Sequence, residues 1–293
     1  MDFRKAGSEY GLVKAALALS GFSPEVGHWP AGASLTKMLE LFGGGIELTT
    51  LAAVPKGSGL GTSSIMGAVI CSVIARMMGR QLTQRELFYA VLRLEQALTT
   101  GGGWQDQIGG VVDGAKVVTT DPGLVPDARV HYVPSDVLDP HTNGGSTLLY
   151  YTGITRLAKN ILQQVVGRYL DRDRQAMSTL KQIHSLPPLV ADAMSRKDLA
   201  AFGRLIDVAW RLNKQLDPNS TTPQIDAMLD LVRPHLQGAK LLGAGGCGFL
   251  LMVCKSPTDA DAIRQMLRDA SPNARARFFD FSLNHTGLAV NVC

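Results

Sequence analysis

Three observations predict an α+β protein in two parts. The last third of the chain alternates strand, strand, helix, strand, strand behind a long helical region, the pattern of a sheet layer with helices packed on one side. A loop rich in Pro, Asp and Asn, Pro134–Gly145, interrupts the chain midway and marks a boundary between parts 1–143 and 144–293. The first part centres on a strand, Ile46–Val54, that feeds a glycine loop and then a buried helix.

Taken in order, Ser8–Leu19 places Leu12, Val13, Ala15, Ala16 and Leu19 at helical spacing and stops at Gly21. Leu35–Phe42 is a second short helix, ended by Gly43–Gly45. After the strand and loop, Ser63–Met78 is an apolar helix with Gly79 at its C-terminus. Thr83 with Glu86 three residues on forms a capping box, and the helix it starts runs to about Leu98. Lys116–Thr120 and Arg129–Val133 read as paired strands, and Thr147–Tyr151 as a strand after the boundary loop. Thr155 to about Trp210 is mostly helical, punctuated by Pro187-Pro188, and Pro223 opens a helix through Val232. Strands at Ala239–Leu242, Gly248–Val253, Arg275–Phe281 and Gly287–Val292 flank a helix from Pro257 to about Asp269.

Composition narrows the class. The 293 residues can bury a substantial core, and 45% hydrophobic with 18% charged residues is ordinary for a soluble globular protein. The net charge of +4 is spread along the chain without a block of like charges, which argues against nucleic-acid and membrane partners. Cys71, Cys247, Cys254 and Cys293 form no Cys-x-x-Cys pair and the six histidines are isolated, so a reduced cytoplasmic protein is expected, without a disulfide framework or zinc site. Met1–Gly7 lacks the long apolar stretch of a signal peptide, and the run around Ile65–Ala75 is too short to span a bilayer.

The chemistry concentrates in Pro55–Ser64. Gly57, Gly59 and Gly61 alternate with Ser58 and Leu60, and Thr62, Ser63 and Ser64 follow at the start of a helix. Glycines let a chain curl into a ring of N–H donors, and a helix N-terminus favours an anion, so the stretch reads as a phosphate cradle. An ordinary strand-to-helix turn explains one of these glycines well and three poorly. Gly-Lys-[Ser/Thr] of a Walker loop is missing, and the alternating glycines do not fit the Gly-x-Gly-x-x-Gly dinucleotide fingerprint. Phosphoryl transfer also needs oxygen ligands for Mg²⁺ and a carboxylate to take a proton. Two acids draw attention: Asp106, framed by glycines, and Glu95, near a helix end. Asp106 also suits a helix N-cap near Gln107, and Glu95 taken alone suits a solvated helix face. A third cluster, Gly243-Ala244-Gly245-Gly246-Cys247-Gly248, reads either as a hairpin turn or as a loop lying against a ligand or the phosphate cradle.

These three clusters in this order resemble the GHMP kinases, the superfamily of galactokinase, homoserine kinase, mevalonate kinase and phosphomevalonate kinase. Pro55–Ser64 is similar to its Pro-x-x-x-Gly-Leu-Gly-[Ser/Thr]-Ser motif and Leu242–Gly248 to its C-terminal glycine motif. The resemblance implies an N-terminal α/β domain and a C-terminal ferredoxin-like domain, with ATP in the cleft between them. It implies ATP phosphates on Gly57, Ser58, Gly59, Leu60, Gly61, Thr62, Ser63 and Ser64, Mg²⁺ on Ser63 and Glu95, and Asp106 as catalytic base. Gly102, Gly103, Gly245, Gly246 and Gly248 would line the active site. Leu94–Gln107 looks like the sugar-kinase branch that contains L-fucokinases and heptose-phosphate kinases, and Tyr150–Asn160 and Leu242–Leu250 add weight toward the L-fucokinases. That likeness implies transfer of the γ-phosphoryl of ATP to the anomeric hydroxyl of L-fucose, beside a fused or upstream pyrophosphorylase domain. The alternatives are a heptose-phosphate kinase and a non-catalytic nucleotide-binding module. Two departures stand out: the family's first, sugar-holding motif would precede Met1, which implies a truncated N-terminal domain, and Cys247 takes a place where relatives often carry glycine. Lys56, Arg156 and Lys159 are surface charges or structural donors in the simpler reading and phosphate or sugar contacts in the other.

Overall fold

The computed structural model describes residues 8–23, 26–27, 29–30, 32–55, 57–98, 103–123, 125–154 and 159–292. The chain forms two compact units. The first comprises Met1–Val54, Gly61–Asp113 and Thr286–Cys293, and the second Pro55–Leu60 and Gly114–His285.

The first unit is helical among its described residues: α1 (Gly11–Leu19), α2 (Leu35–Phe42), α3 (Thr62–Met77), α4 (Gln84–Ala97) and α5 (Gln105–Gly109). Helix α3 buries Gly67, Ile70, Cys71 and Ile74, and α4 answers with Leu87, Val91 and Leu94, each set on one helical face. Ala15 and Ala16 of α1 complete that core with Phe22 and Val111. Ser34 and Thr83 cap α2 and α4, and the Thr83–Glu86 capping box forms as its spacing predicts.

Two expected strands in this unit are not strands. Ile46–Val54 and Gly287–Val292 carry no ladder among the described residues. Ile46, Leu48 and Leu288 instead lay their side chains on the helical core, while Leu51 stands 88% exposed. Aliphatic and β-branched residues suit any half-buried surface, and a strand also needs a neighbouring backbone to bond.

The second unit opens with the antiparallel pair β1 (Lys116–Thr119) and β2 (Arg129–Tyr132). Its main sheet contains β3 (Thr147–Tyr151), β4 (Leu236–Leu241), β5 (Phe249–Cys254) and β6 (Arg277–Phe279) in the order β4-β5-β3-β6, all neighbours antiparallel. Helices α6 (Lys159–Leu170), α7 (Arg174–Ser195), α8 (Leu199–Leu216) and α9 (Pro223–Val232) separate β3 from β4, and α10 (Pro257–Asp269) separates β5 from β6. A β-α-β-β-α-β succession with the first and third strands at the centre is the ferredoxin-like arrangement, here with extra helices. Pro187 and Pro188 sit inside α7, which runs through both, so the expected interruption does not occur.

Every residue of β5 is buried. Leu250, Met252 and Cys254 face a core shared with α9 and α10. Val253, on the other face, packs with Phe202 of α8 and Ala193 and Met194 of α7. The sheet is therefore covered on both faces, which corrects the one-sided packing expected from element order and explains why β5 reads as an unbroken apolar run.

Candidate active site

In the first unit the site is built where α3 begins, α4 ends and α5 passes. Gly61 holds the left-handed N-cap position of α3, with φ of 64°. The hydroxyls of Thr62, Ser63 and Ser64 follow within the first turn, but they diverge: Ser63 is exposed and Ser64 is buried. Ser64 Oγ donates to Glu95 Oε1 at 2.6 Å.

Glu95 lies on the buried face of α4, four residues after Val91 and seven after Phe88. Only 9% of its surface is exposed, so it is not the solvated residue that its helix-end position alone suggests. Gln107, the third residue of α5 and 1% exposed, donates from Nε2 to its other oxygen, Oε2. The carboxylate is thus gripped on both oxygens, from α3 and from α5. Nothing in the sequence pattern singled out Gln107: α5 has five residues, too few to display a periodic apolar face.

Asp106 is the second residue of α5 and not its N-cap, which is Trp104. Its side chain lies beside Gly61, where a Cβ would approach Asp106 Cβ and Cγ to 3.3 Å. Surrounding protein withholds water from part of the carboxyl and raises its pKa above the usual aspartate value, against a smaller opposing effect of Gln105. The residue nevertheless remains open to solvent. Raising the pKa of a solvent-reaching carboxylate strengthens it as a base without taking it out of reach.

The rest of the glycine loop belongs to the second unit, the division falling between Leu60 and Gly61. There the 57–60 segment lies against the β4–β5 connection. Phe249 N donates to Ser58 O at 3.0 Å, and the Cys247 thiol donates to Gly57 O at 3.5 Å. A Cβ on Gly59 would fall 2.5 Å from Leu242 O, and one on Gly248 only 2.3 Å from Ser58 O. Both readings of the third glycine cluster therefore hold: it joins two antiparallel strands and it packs on the first glycine loop. Cys247 is accommodated, 5% exposed, with its sulfur turned to that loop. Gly245 meets Ser220 instead, whose carbonyl accepts from Gly246 N. Gly103 is exposed with open space about it, whereas Gly102, Lys56 and Arg156 and the side chain of Lys159 lie outside the described residues.

The donor set fits a hard divalent cation. Glu95 supplies carboxylate oxygens and Ser63 a hydroxyl, with Ser64 holding Glu95 by its hydrogen bond, and the buried Oε1 of Gln107 has no hydrogen-bond partner among the described residues. Oxygen ligands of this kind suit Mg²⁺ and would not suit a thiophilic metal.

The chain matches the GHMP kinases N terminal domain over residues 31–114 and the GHMP kinases C terminal domain over residues 190–273. It is 40% identical over 290 residues to an L-fucokinase/L-fucose-1-P guanylyltransferase of Bacteroides fragilis, covering 99% of this chain and 30% of that protein. It is 36% identical over 228 residues to a bifunctional fucokinase/GDP-fucose pyrophosphorylase of Arabidopsis thaliana, covering 77% of this chain and 21% of that one. The chain thus spans less than a third of the length of these two relatives. In fold it is similar to a mevalonate kinase (TM-score 0.64, 16% identity, 97% of this chain and 79% of the other). A D-glycero-D-manno-heptose 1-phosphate kinase of Bacteroides thetaiotaomicron is a further fold neighbour (TM-score 0.59, 17% identity, 98% and 77%). Among the described residues no helix is long and apolar enough to cross a membrane.

Proposed function

Since the chain belongs to the GHMP kinases, we propose that it carries the kinase function of an L-fucokinase, transferring the γ-phosphoryl of ATP to the anomeric hydroxyl of L-fucose in the cytoplasm. The observation that carries the reading is Asp106, a carboxylate with raised pKa and access to solvent, set beside the N-terminus of α3 at Gly61. Asp106 takes the proton of the sugar hydroxyl as its oxygen bonds to the γ-phosphorus. The bond from that phosphorus to the β,γ-bridging oxygen breaks, and ADP leaves with the electron pair.

The start of α3 at Gly61–Ser64 holds the phosphates, whose charge suits the helix end, while in the glycine loop before it the Leu60 N–H is already donated to Ser58 Oγ. Glu95 and Ser63 would hold Mg²⁺, while Ser64 secures Glu95 from behind. A bound Mg²⁺ supplies positive charge to offset what builds on the transferring phosphoryl. Gly103, exposed with open space about it, leaves room for substrate near backbone, whereas Gly245 and Gly248 are packed against Ser220 and Ser58. The sugar assignment rests on the two fucokinase relatives. Their names pair the kinase with guanylyl transfer, so the sugar 1-phosphate formed here would pass to a pyrophosphorylase domain. A heptose-phosphate kinase is the second reading, favoured by 26% identity over 249 residues to a D-glycero-alpha-D-manno-heptose 7-phosphate kinase of Campylobacter jejuni.

An ADP-release assay with L-fucose, D-arabinose and D-glycero-D-manno-heptose 7-phosphate decides between them. Turnover confined to L-fucose is expected, and turnover confined to the heptose phosphate overturns the assignment. Asp106→Asn is expected to lower kcat by about 10²–10⁴-fold while nucleotide still binds. Near-normal turnover in that variant removes Asp106 from the base role.

A further inference from the structure

The buried amide of Gln107 has no part in the phosphoryl-transfer scheme above, and its geometry is asymmetric. An amide offers two N–H donors and a carbonyl acceptor. Nε2 is spent on Glu95, while Oε1 is buried and has no hydrogen-bond partner among the described residues. Reversing the amide would set its oxygen against a carboxylate oxygen, acceptor against acceptor, so Glu95 dictates the orientation. Buried carbonyls without partners are uncommon in folded proteins, and one beside a cluster of oxygen donors calls for an occupant. A methionine of similar length would fill the same volume without stranding a polar atom.

Helix α5 also places Asp106 and Gln107 on different sides, one open to solvent and one buried. One short element therefore carries the candidate base and the grip on Glu95 as adjacent residues. Ser64 approaches the opposite carboxylate oxygen from α3.

We propose that Gln107 is a positioning residue for the divalent cation: its Nε2–H fixes the plane of the Glu95 carboxylate, and its Oε1 accepts a hydrogen bond from a water of the cation's shell. The proposal rests on the kinase reading of the site, because it needs Glu95 to face a cation. It goes further in giving the metal affinity to a residue that is not itself a ligand. Partners that orient metal ligands commonly control affinity by 10–100-fold.

The test uses the full chain, a non-hydrolysable ATP analogue and Mn²⁺ as a paramagnetic stand-in for Mg²⁺, with free Mn²⁺ read by electron paramagnetic resonance. Gln107→Met is expected to weaken Mn²⁺ binding about tenfold, with metal-free nucleotide affinity within about twofold of wild type, a split that a merely structural role would not produce. Gln107→Glu gives a second reading should the methionine variant melt far below wild type. It keeps an acceptor at Oε1 but opposes two carboxylates, so Mn²⁺ is expected to raise its melting temperature more than it raises that of wild type. Unchanged Mn²⁺ affinity in Gln107→Met, or equal Mn²⁺-induced melting shifts in Gln107→Glu and wild type, overturns the proposal while leaving the kinase reading intact. Failure of the wild type to bind Mn²⁺ with the nucleotide overturns both. Normal metal binding in a wild type that phosphorylates no sugar strikes the kinase reading alone, and a tenfold loss in Gln107→Met then still supports the role of Gln107.

Discussion

Gly248→Ala, with Gly145→Ala as its partner, separates backbone strain from the packing of one glycine loop on the other. Both glycines lie in the second unit at positive φ, 91° and 79°. A side chain in that conformation costs about 1–2 kcal/mol at either position. At Gly145 nothing lies within 4 Å of an added Cβ, so the cost stops there. At Gly248 the Cβ would sit 2.3 Å from Ser58 O, and that carbonyl must retreat by about 1 Å to reach ordinary contact. Overpacking of this kind costs about 1–3 kcal/mol. The retreat also endangers the hydrogen bond from Phe249 N to Ser58 O, worth about 1 kcal/mol. Gly248→Ala should therefore cost roughly 3–6 kcal/mol against 1–2 for Gly145→Ala. Native-state hydrogen exchange at the β4 and β5 amides reads the difference as a loss of opening free energy. Equal losses in the two variants would refute the reasoning, because strain alone would then account for both.

Three further perturbations read the electrostatics. The native pKa of Asp106 is raised, so stability falls as pH rises from the ordinary aspartate pKa to the raised native one and stays lower above it. Asp106→Asn should melt above wild type at pH 7, with the gap closing as pH falls toward the ordinary aspartate pKa, in thermal scans across pH; a gap that widens on acidification sinks the assignment. Lys240, whose Nζ donates to Leu241 O, has its pKa depressed by burial from 10.5 to about 8. Between those values the unfolded chain holds the proton more tightly, so stability rises with pH, by at most roughly 3 kcal/mol. Urea unfolding of wild type and Lys240→Met from pH 7 to 11 should show that rise only in wild type, and parallel curves would exclude it. Ser64→Ala removes a hydrogen bond to a buried carboxylate and should cost about 1.5–3 kcal/mol in the first unit. A cost under about 0.5 kcal/mol, the range of ordinary surface substitutions, would show that Glu95 does not depend on it.

Elements whose signals are local were legible in the sequence. The Thr83–Glu86 capping box, Pro223 at the first position of α9 and Pro257 at the first position of α10 each mark a helix start where the structure has one. The errors involve features whose outcome depends on distant chain. Ile46–Val54 has strand composition, but no residue can show in its own sequence whether another backbone will lie beside it. Pro187 and Pro188 weaken α7 locally, yet the helix is held along its length by buried Ala176, Thr179, Leu186, Ala193 and Met194. The apolar run of β5 was visible, while its double-sided burial follows from α8, more than thirty residues upstream, reaching Val253 with Phe202.

The candidate site divides in the same way. Alternating glycines and a glycine-framed aspartate are visible because the backbone itself must be unusual there, and a sequence records that directly in residue type. Glu95 could have been placed by extending the buried face of α4 from Phe88 and Val91 by one further turn, which overrides the usual exposure of a helix-end glutamate. Gln107 had no comparable signal. Its importance comes from what it faces, a carboxylate twelve residues earlier whose other oxygen is bound thirty-one residues before it. A donor to a buried carboxylate can come from many residue types and positions, so its position shows only once α3, α4 and α5 are assembled. That is why the base candidate is legible and the residue next to it, which grips the candidate cation ligand, is not.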